Sequence, residues 1–121
     1  MNTTNKLLVV DDCPVSRLIV KDMLTDSGLT IVETDSGADV MAVVITEKPL
    51  LILLDLHMPG KDGFDVLDEL LEEHFHIPIV IISSDVTSRT KKTCLDMGVR
   101  AFLEKPLSAD LLRETVSKYL Q

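Results

Sequence analysis

Several things are scarce in this chain of 121 residues, and each scarcity excludes something. There is no tryptophan, and aromatics make up 3%, so any core must be built from aliphatic side chains. There are two cysteines, Cys13 and Cys94, far apart in sequence. They offer no disulfide framework, and both read as free packing thiols in a reducing compartment. No apolar run approaches the roughly 18–20 residues of a membrane span. The N-terminal stretch "MNTTNKLLVVDD" has too short an apolar run, ending on two acids, to be a secretory leader. Basic residues are outnumbered, 12 Lys and Arg against 20 Asp and Glu, for a net charge of -8. A phosphate backbone is bound by basic surfaces, so direct nucleic-acid binding is not expected.

What remains is ordinary for a soluble globular domain: 45% hydrophobic and 26% charged residues, with no repeat, linker or low-complexity tract. Residues 1–121 are expected to form a single domain. Short apolar runs alternate with helical patterns. "KLLVV" (6–10), "TIVET" (30–34), "LLILL" (50–54), "IPIVII" (77–82) and "AFL" (101–103) read as five strands. Between and after them lie five helical segments. The first runs from Pro14 to Ser27 with Val15, Leu18, Ile19 and Met23 at helical spacing, and Gly28 marks its stop. The second opens at Ser36-Gly37 and ends before Pro49. The third spans about Gly63 to His74 with Phe64, Leu67, Leu70 and Leu71 on one face, and the fourth spans about Ser88 to Met97. Ser108 caps the fifth, whose stripe is Leu111, Leu112, Val116, Tyr119 and Leu120. Continuous apolar strands alternating with helices predict a parallel sheet covered on both faces. In such sheets ligands sit beyond the carboxyl ends of the strands.

That rule gives the polar residues a meaning. Asp11 and Asp12 follow the first strand, Asp55 the third, Ser83 and Ser84 the fourth, and Lys105 the fifth. If the strands are parallel, all emerge at one edge. At an effective dielectric of about 20, two like charges about 4 Å apart repel by on the order of 4 kcal/mol. Three clustered carboxylates therefore call for protonation or a cation, and an all-oxygen set without a His–Cys partner favours Mg²⁺. His74 and His76 lack the Cys or third His that a zinc site needs.

"VVDDCP", "LLDLHMPGKDG", "IVIISS" and "FLEKPL" occur in this order and spacing along the whole chain. Together they resemble the receiver (response-regulator) domain of two-component, phosphorelay signalling, in the CheY-like superfamily. The resemblance implies a flavodoxin-like (βα)5 fold: a doubly wound, five-stranded parallel sheet of strand order 2-1-3-4-5. It implies that Asp55 is the phosphoacceptor, phosphorylated from a sensor histidine kinase or a histidine phosphotransfer protein. Asp11, Asp12, Asp55 and the backbone carbonyl of His57 would hold Mg²⁺ (or Mn²⁺). Ser83 would hydrogen-bond the phosphoryl oxygens, Lys105 would pair with them, and the Lys105-Pro106 bond would be cis. Phe102 would swing between outward and inward rotamers, altering the surface formed by the fourth helix, fifth strand and fifth helix for a downstream protein effector. His57 and Asp85 occupy positions that influence dephosphorylation in receivers. The resemblance further implies a cytoplasmic protein without external substrate turnover, as a monomer or phosphorylation-dependent dimer. The residues suit a standalone receiver and a domain of a larger regulator or hybrid kinase equally.

The chain departs from the family's habits at Thr34, where receivers often have Ala, and at Ser83, where Thr is commoner. Other classes fit less well. A haloacid-dehalogenase-like phosphatase needs a second Asp two residues after its nucleophile, where this chain has His57, and room for a cap. A flavin mononucleotide module needs a Ser/Thr/Gly-rich loop after the first strand, where "DDCPVS" would repel a phosphate. An unphosphorylated pseudo-receiver would not need the acid–hydroxyl–lysine set.

Overall fold

A computed structural model describes residues 5–120; residues 1–4, the start of the segment read above as too short for a leader, and residue 121 lie outside the described part. Strands and helices alternate: β1 (Lys6–Val10), α1 (Pro14–Met23), β2 (Thr30–Thr34), α2 (Val40–Glu47), β3 (Leu51–Asp55), α3 (Gly63–Glu72), β4 (Ile79–Ser83), α4 (Ser88–Asp96), β5 (Ala101–Glu104) and α5 (Ala109–Ser117). The strands form one parallel sheet in the order β2-β1-β3-β4-β5. That is the order expected of the flavodoxin-like arrangement.

Period-two alternation sends neighbouring residues of each strand to opposite faces. Leu7, Val9, Leu51, Leu53, Val80 and Ile82 pack with Val20 and Leu24 of the α1 side and Leu112 and Val116 of α5. Leu8, Val10, Ile52, Leu54 and Ile81 pack against Val40, Val44, Val66, Leu67, Leu70 and Cys94 from α2, α3 and α4. Two covered faces explain why β3 reads as unbroken apolar sequence rather than alternating. Each fully buried aliphatic side chain contributes about 1.5–3 kcal/mol.

Helix starts follow local chemistry. The Ser36 side chain accepts from Ala38 N ahead of α2, and Asp62 and Asp65 form a reciprocal capping box at α3. Thr87 accepts from Thr90 N at α4, and Ser108 accepts from Leu111 N at α5. No helix among the described residues is long and apolar enough to cross a membrane.

Three readings need correction. α1 ends at Met23, not Ser27, because the Thr25 and Ser27 hydroxyls donate back to the carbonyls of Lys21, Asp22 and Leu24, and Gly28 then turns with φ 81°. The periodic residues Val15, Leu18 and Ile19 lie on the outer face of α1, 63%, 54% and 41% exposed, while Val20 and Leu24 face the sheet. Cys94 packs in the core as read, but Cys13 is exposed.

Candidate functional site

The acids meet because of strand parity. Asp55 is the last residue of β3, on the face of Leu51 and Leu53. Asp11 follows Val9 by two and so takes the same face; its N–H donates to Thr34 O at 3.2 Å, extending the register beyond β1. Lys105 follows Leu103 by two, and its N–H donates to Ser83 O at 2.8 Å, extending β5 in the same way. Neighbouring registers place Val10 beside Leu54, so the next residues outward are the acids. Lys105 Nζ lies 2.8 Å from Asp11 Oδ2 and 3.6 Å from Asp55 Oδ2. The Lys105-Pro106 bond is cis.

Asp11, Asp12 and Asp55 each offer a carboxylate oxygen, all within 4.8 Å of one another. Asp11 is fully buried, Asp55 is 6% exposed and Asp12 is exposed. Such a set, all hard oxygen and partly open to solvent, fits a hard divalent cation that keeps some of its water. Burial raises the Asp55 carboxyl to about 6; Lys105 opposes that rise, Asp11 and Asp12 add to it, and the His57 backbone hydrogen bond opposes it. Burial also works against the charge on Lys105, but its hydrogen bond to Asp11 and the charges of Asp55 and Asp11 outweigh it and raise its pKa. The site thus holds Lys105 as an ammonium between Asp11 and the raised carboxyl of Asp55.

Ser83 and Phe102 fall on the other face of the sheet, with Ile81. Ser83 is buried, and its Oγ accepts from Asp85 N at 3.0 Å; that bond, rather than one to the acids, is its contact here. Phe102 is half-buried, with Lys91 Nζ of α4 5.8 Å from its ring centroid. The exposed His57 ring reaches across to Asp85, Nε2 to Oδ2 at 3.3 Å. The Asp85 carboxylate also accepts from Thr87 N and Thr90 Oγ1, which together hold it below its ordinary value. The two positions named together above, His57 and Asp85, are thus in direct contact across the loops after β3 and β4, a contact that neither motif signals. Gly63 opens α3 directly behind Asp55. Its importance is close approach: a Cβ there would stand 2.6 Å from Asp55 O and 2.7 Å from Leu56 Cα. Thr34, the departure noted above, is buried, and its Oγ1 accepts from Ser36 N and donates to Ser36 O.

The chain matches the family described as the response regulator receiver domain over residues 7–117. It belongs to that family. It is 28% identical over 120 residues to the sensor histidine kinase RcsC of Salmonella typhimurium, covering 99% of this chain but 13% of that protein. It is 30% identical over 117 residues to protein PilH of Pseudomonas aeruginosa, covering 95% of this chain and 97% of PilH. The solved signal receiver domain of a putative Luxo repressor protein from Vibrio parahaemolyticus is 27% identical, with a TM-score of 0.92 over 97% of this chain and 90% of that one. The chain spans about an eighth of the sensor kinases that it matches. Receivers are signalling domains, and this chain is a phosphoacceptor receiver of two-component signalling.

Proposed function

We propose that Asp55 is the phosphoacceptor. The observation that carries this reading is the constellation at the sheet edge: a nearly buried carboxylate, two further acids within 4.8 Å, and the Lys105 ammonium 3.6 Å away. An ionised Asp55 oxygen attacks the phosphorus of a phosphohistidine. The P–N bond breaks, the electron pair leaves with the imidazole, and an acyl phosphate forms on Asp55. No general base is needed.

Asp11, Asp12, Asp55 and the His57 carbonyl would hold Mg²⁺ or Mn²⁺. Such an ion, when bound, neutralises the charge that develops on the transferring oxygens. Lys105, already poised between Asp11 and Asp55, turns to the phosphoryl oxygens. The Ser83 hydroxyl releases the Asp85 N–H and donates to the same oxygens. That withdrawal opens space for Phe102 to turn inward, reshaping the α4–β5–α5 surface for a downstream protein. Ser83 and Phe102 share a face of the sheet, which supports this coupling.

The phosphodonor is a protein, a sensor histidine kinase or a histidine phosphotransfer protein. The exposed Val15, Leu18 and Ile19 of α1, a few residues from Asp11 and Asp12, offer it an apolar surface. Exposed apolar clusters of this kind mark protein contacts. The chain works in the cytoplasm, as a monomer or as a dimer formed on phosphorylation, turns over no external substrate, and binds neither nucleic acid directly nor membrane.

Acetyl phosphate with Mg²⁺ tests the reading. Mass spectrometry of intact protein should show one added phosphoryl group, absent with a chelator and absent from Asp55→Asn. Failure of wild type to accept phosphate from acetyl phosphate and from every phosphohistidine donor tried would overturn it.

A further inference from the structure

We infer that Arg17 is a positioning residue for the acidic turn after β1, holding it in the shape that aims Asp11 and Asp12 at a divalent cation. The inference rests on the cation reading given above.

Arg17 lies on α1, and its side chain is 17% exposed. Its guanidinium bridges two strand ends. Nη1 donates to the backbone carbonyl of Asp11 at 2.7 Å, and Nε donates to Glu33 Oε1 at 3.0 Å. The other Glu33 oxygen accepts from Lys21 Nζ at 3.0 Å. Arg17 is thus fixed from behind by β2 while it holds the end of β1. The turn is pinned at its other points too: Asp11 N donates to Thr34 O, Cys13 N to Asp11 Oδ1 at 3.0 Å, and Arg17 N to Cys13 O.

The carbonyl that Arg17 grips belongs to the Asp11–Asp12 peptide. Rotation of that peptide would swing the Asp12 side chain. Asp12 is exposed, so its aim depends on the backbone that carries it. A guanidinium suits this task because its planar fork reaches a carbonyl and a carboxylate through two separate nitrogens in fixed geometry, where an ammonium has one nitrogen with freely rotating donors. Groups that orient the ligands of a metal typically change its affinity by about ten- to a hundred-fold when removed.

Charge alone predicts the opposite sign. Deleting a cation beside an acidic site should tighten the binding of another cation. A merely structural ion pair would lower the unfolding midpoint and leave the affinity of the folded protein unchanged.

The test is calorimetric titration of the folded, phosphodonor-free protein with Mg²⁺, in wild type, Arg17→Ala, Arg17→Lys and Glu33→Gln. Arg17→Ala should weaken binding by about ten- to a hundred-fold. Arg17→Lys, which retains the charge, should also weaken it, and carries the test if the alanine variant does not fold. In metal-free protein, hydrogen exchange at the Cys13 amide should quicken in both. Mg²⁺ binding by Arg17→Ala and Arg17→Lys that equals or exceeds a measurable wild-type affinity would overturn the inference. Wild type that binds no Mg²⁺ would overturn the cation reading itself, and the role of Arg17 with it.

Discussion

Replacing Asp55 by Asn should stabilise the cation-free protein at neutral pH. Asp55 is almost fully buried, and its carboxyl is raised from 3.8 to about 6. An acid with a folded pKa above its unfolded one takes up a proton on folding between those two values. Its ionisation therefore costs stability as pH rises through about 6, and below about 3.8 it costs nothing. Linkage between these values gives about 3 kcal/mol lost at pH 7.5 and about 1 kcal/mol at pH 4.5. Asn removes the charge but still buries an amide that needs partners, so the measured gain at pH 7.5 should lie between about 1 and 3 kcal/mol. Urea unfolding with a chelator present, at both pH values, reads this directly; in the difference between variant and wild type, titrating groups away from this site cancel. A variant less stable than wild type at pH 7.5, or a gain that grows as pH falls, would refute the reasoning.

Lys105→Met should raise the Asp55 midpoint above about 6, because Lys105 is the opposing cation; carbon-13 NMR of the carboxyl during a pH titration reads it, and an unchanged or lowered midpoint would contradict the geometry. Gly63→Ala should cost about 1–3 kcal/mol in urea unfolding, since its Cβ meets backbone that cannot move aside; a neutral result would mean that α3 is not seated against Asp55 as described. Lys91→Gln should move the Phe102 ring inward without phosphorylation. Loss of about 0.5–1 kcal/mol of cation–π attraction shifts that equilibrium about two- to five-fold. Ring chemical shifts of Phe102 that do not move between wild type and variant would refute it.

The gathering of Asp11, Asp55 and Lys105 at one edge was legible in the sequence, because it follows from parallel strands; the strand order came with the resemblance to receivers, since no pattern within a strand says which strand lies beside it. Strand ends were less legible. Apolar runs stop at Leu54, Ile82 and Leu103, but the ladders continue to Asp55, Ser83 and Glu104, because a backbone ladder does not depend on apolarity. The helical period of α1 revealed a stripe and not whether the stripe is covered; the sheet lies against Val20 and Leu24 instead. Two arrangements left no trace at all. The His57–Asp85 pair joins two loops, and Arg17 acts on a backbone carbonyl, which no side-chain motif records. The exposed Cys13 escaped for a related reason: composition shows that a thiol is scarce, not which way a helix start turns it.

The central claim is that the phosphoryl group sits on the carboxylate of Asp55. Borohydride reduces an acyl phosphate on aspartate to homoserine, so the chain should be phosphorylated with acetyl phosphate and Mg²⁺, reduced, digested and sequenced by tandem mass spectrometry. Homoserine is expected at position 55 alone, dependent on the phosphodonor. Homoserine at Asp11 or Asp12 with Asp55 intact would contradict it.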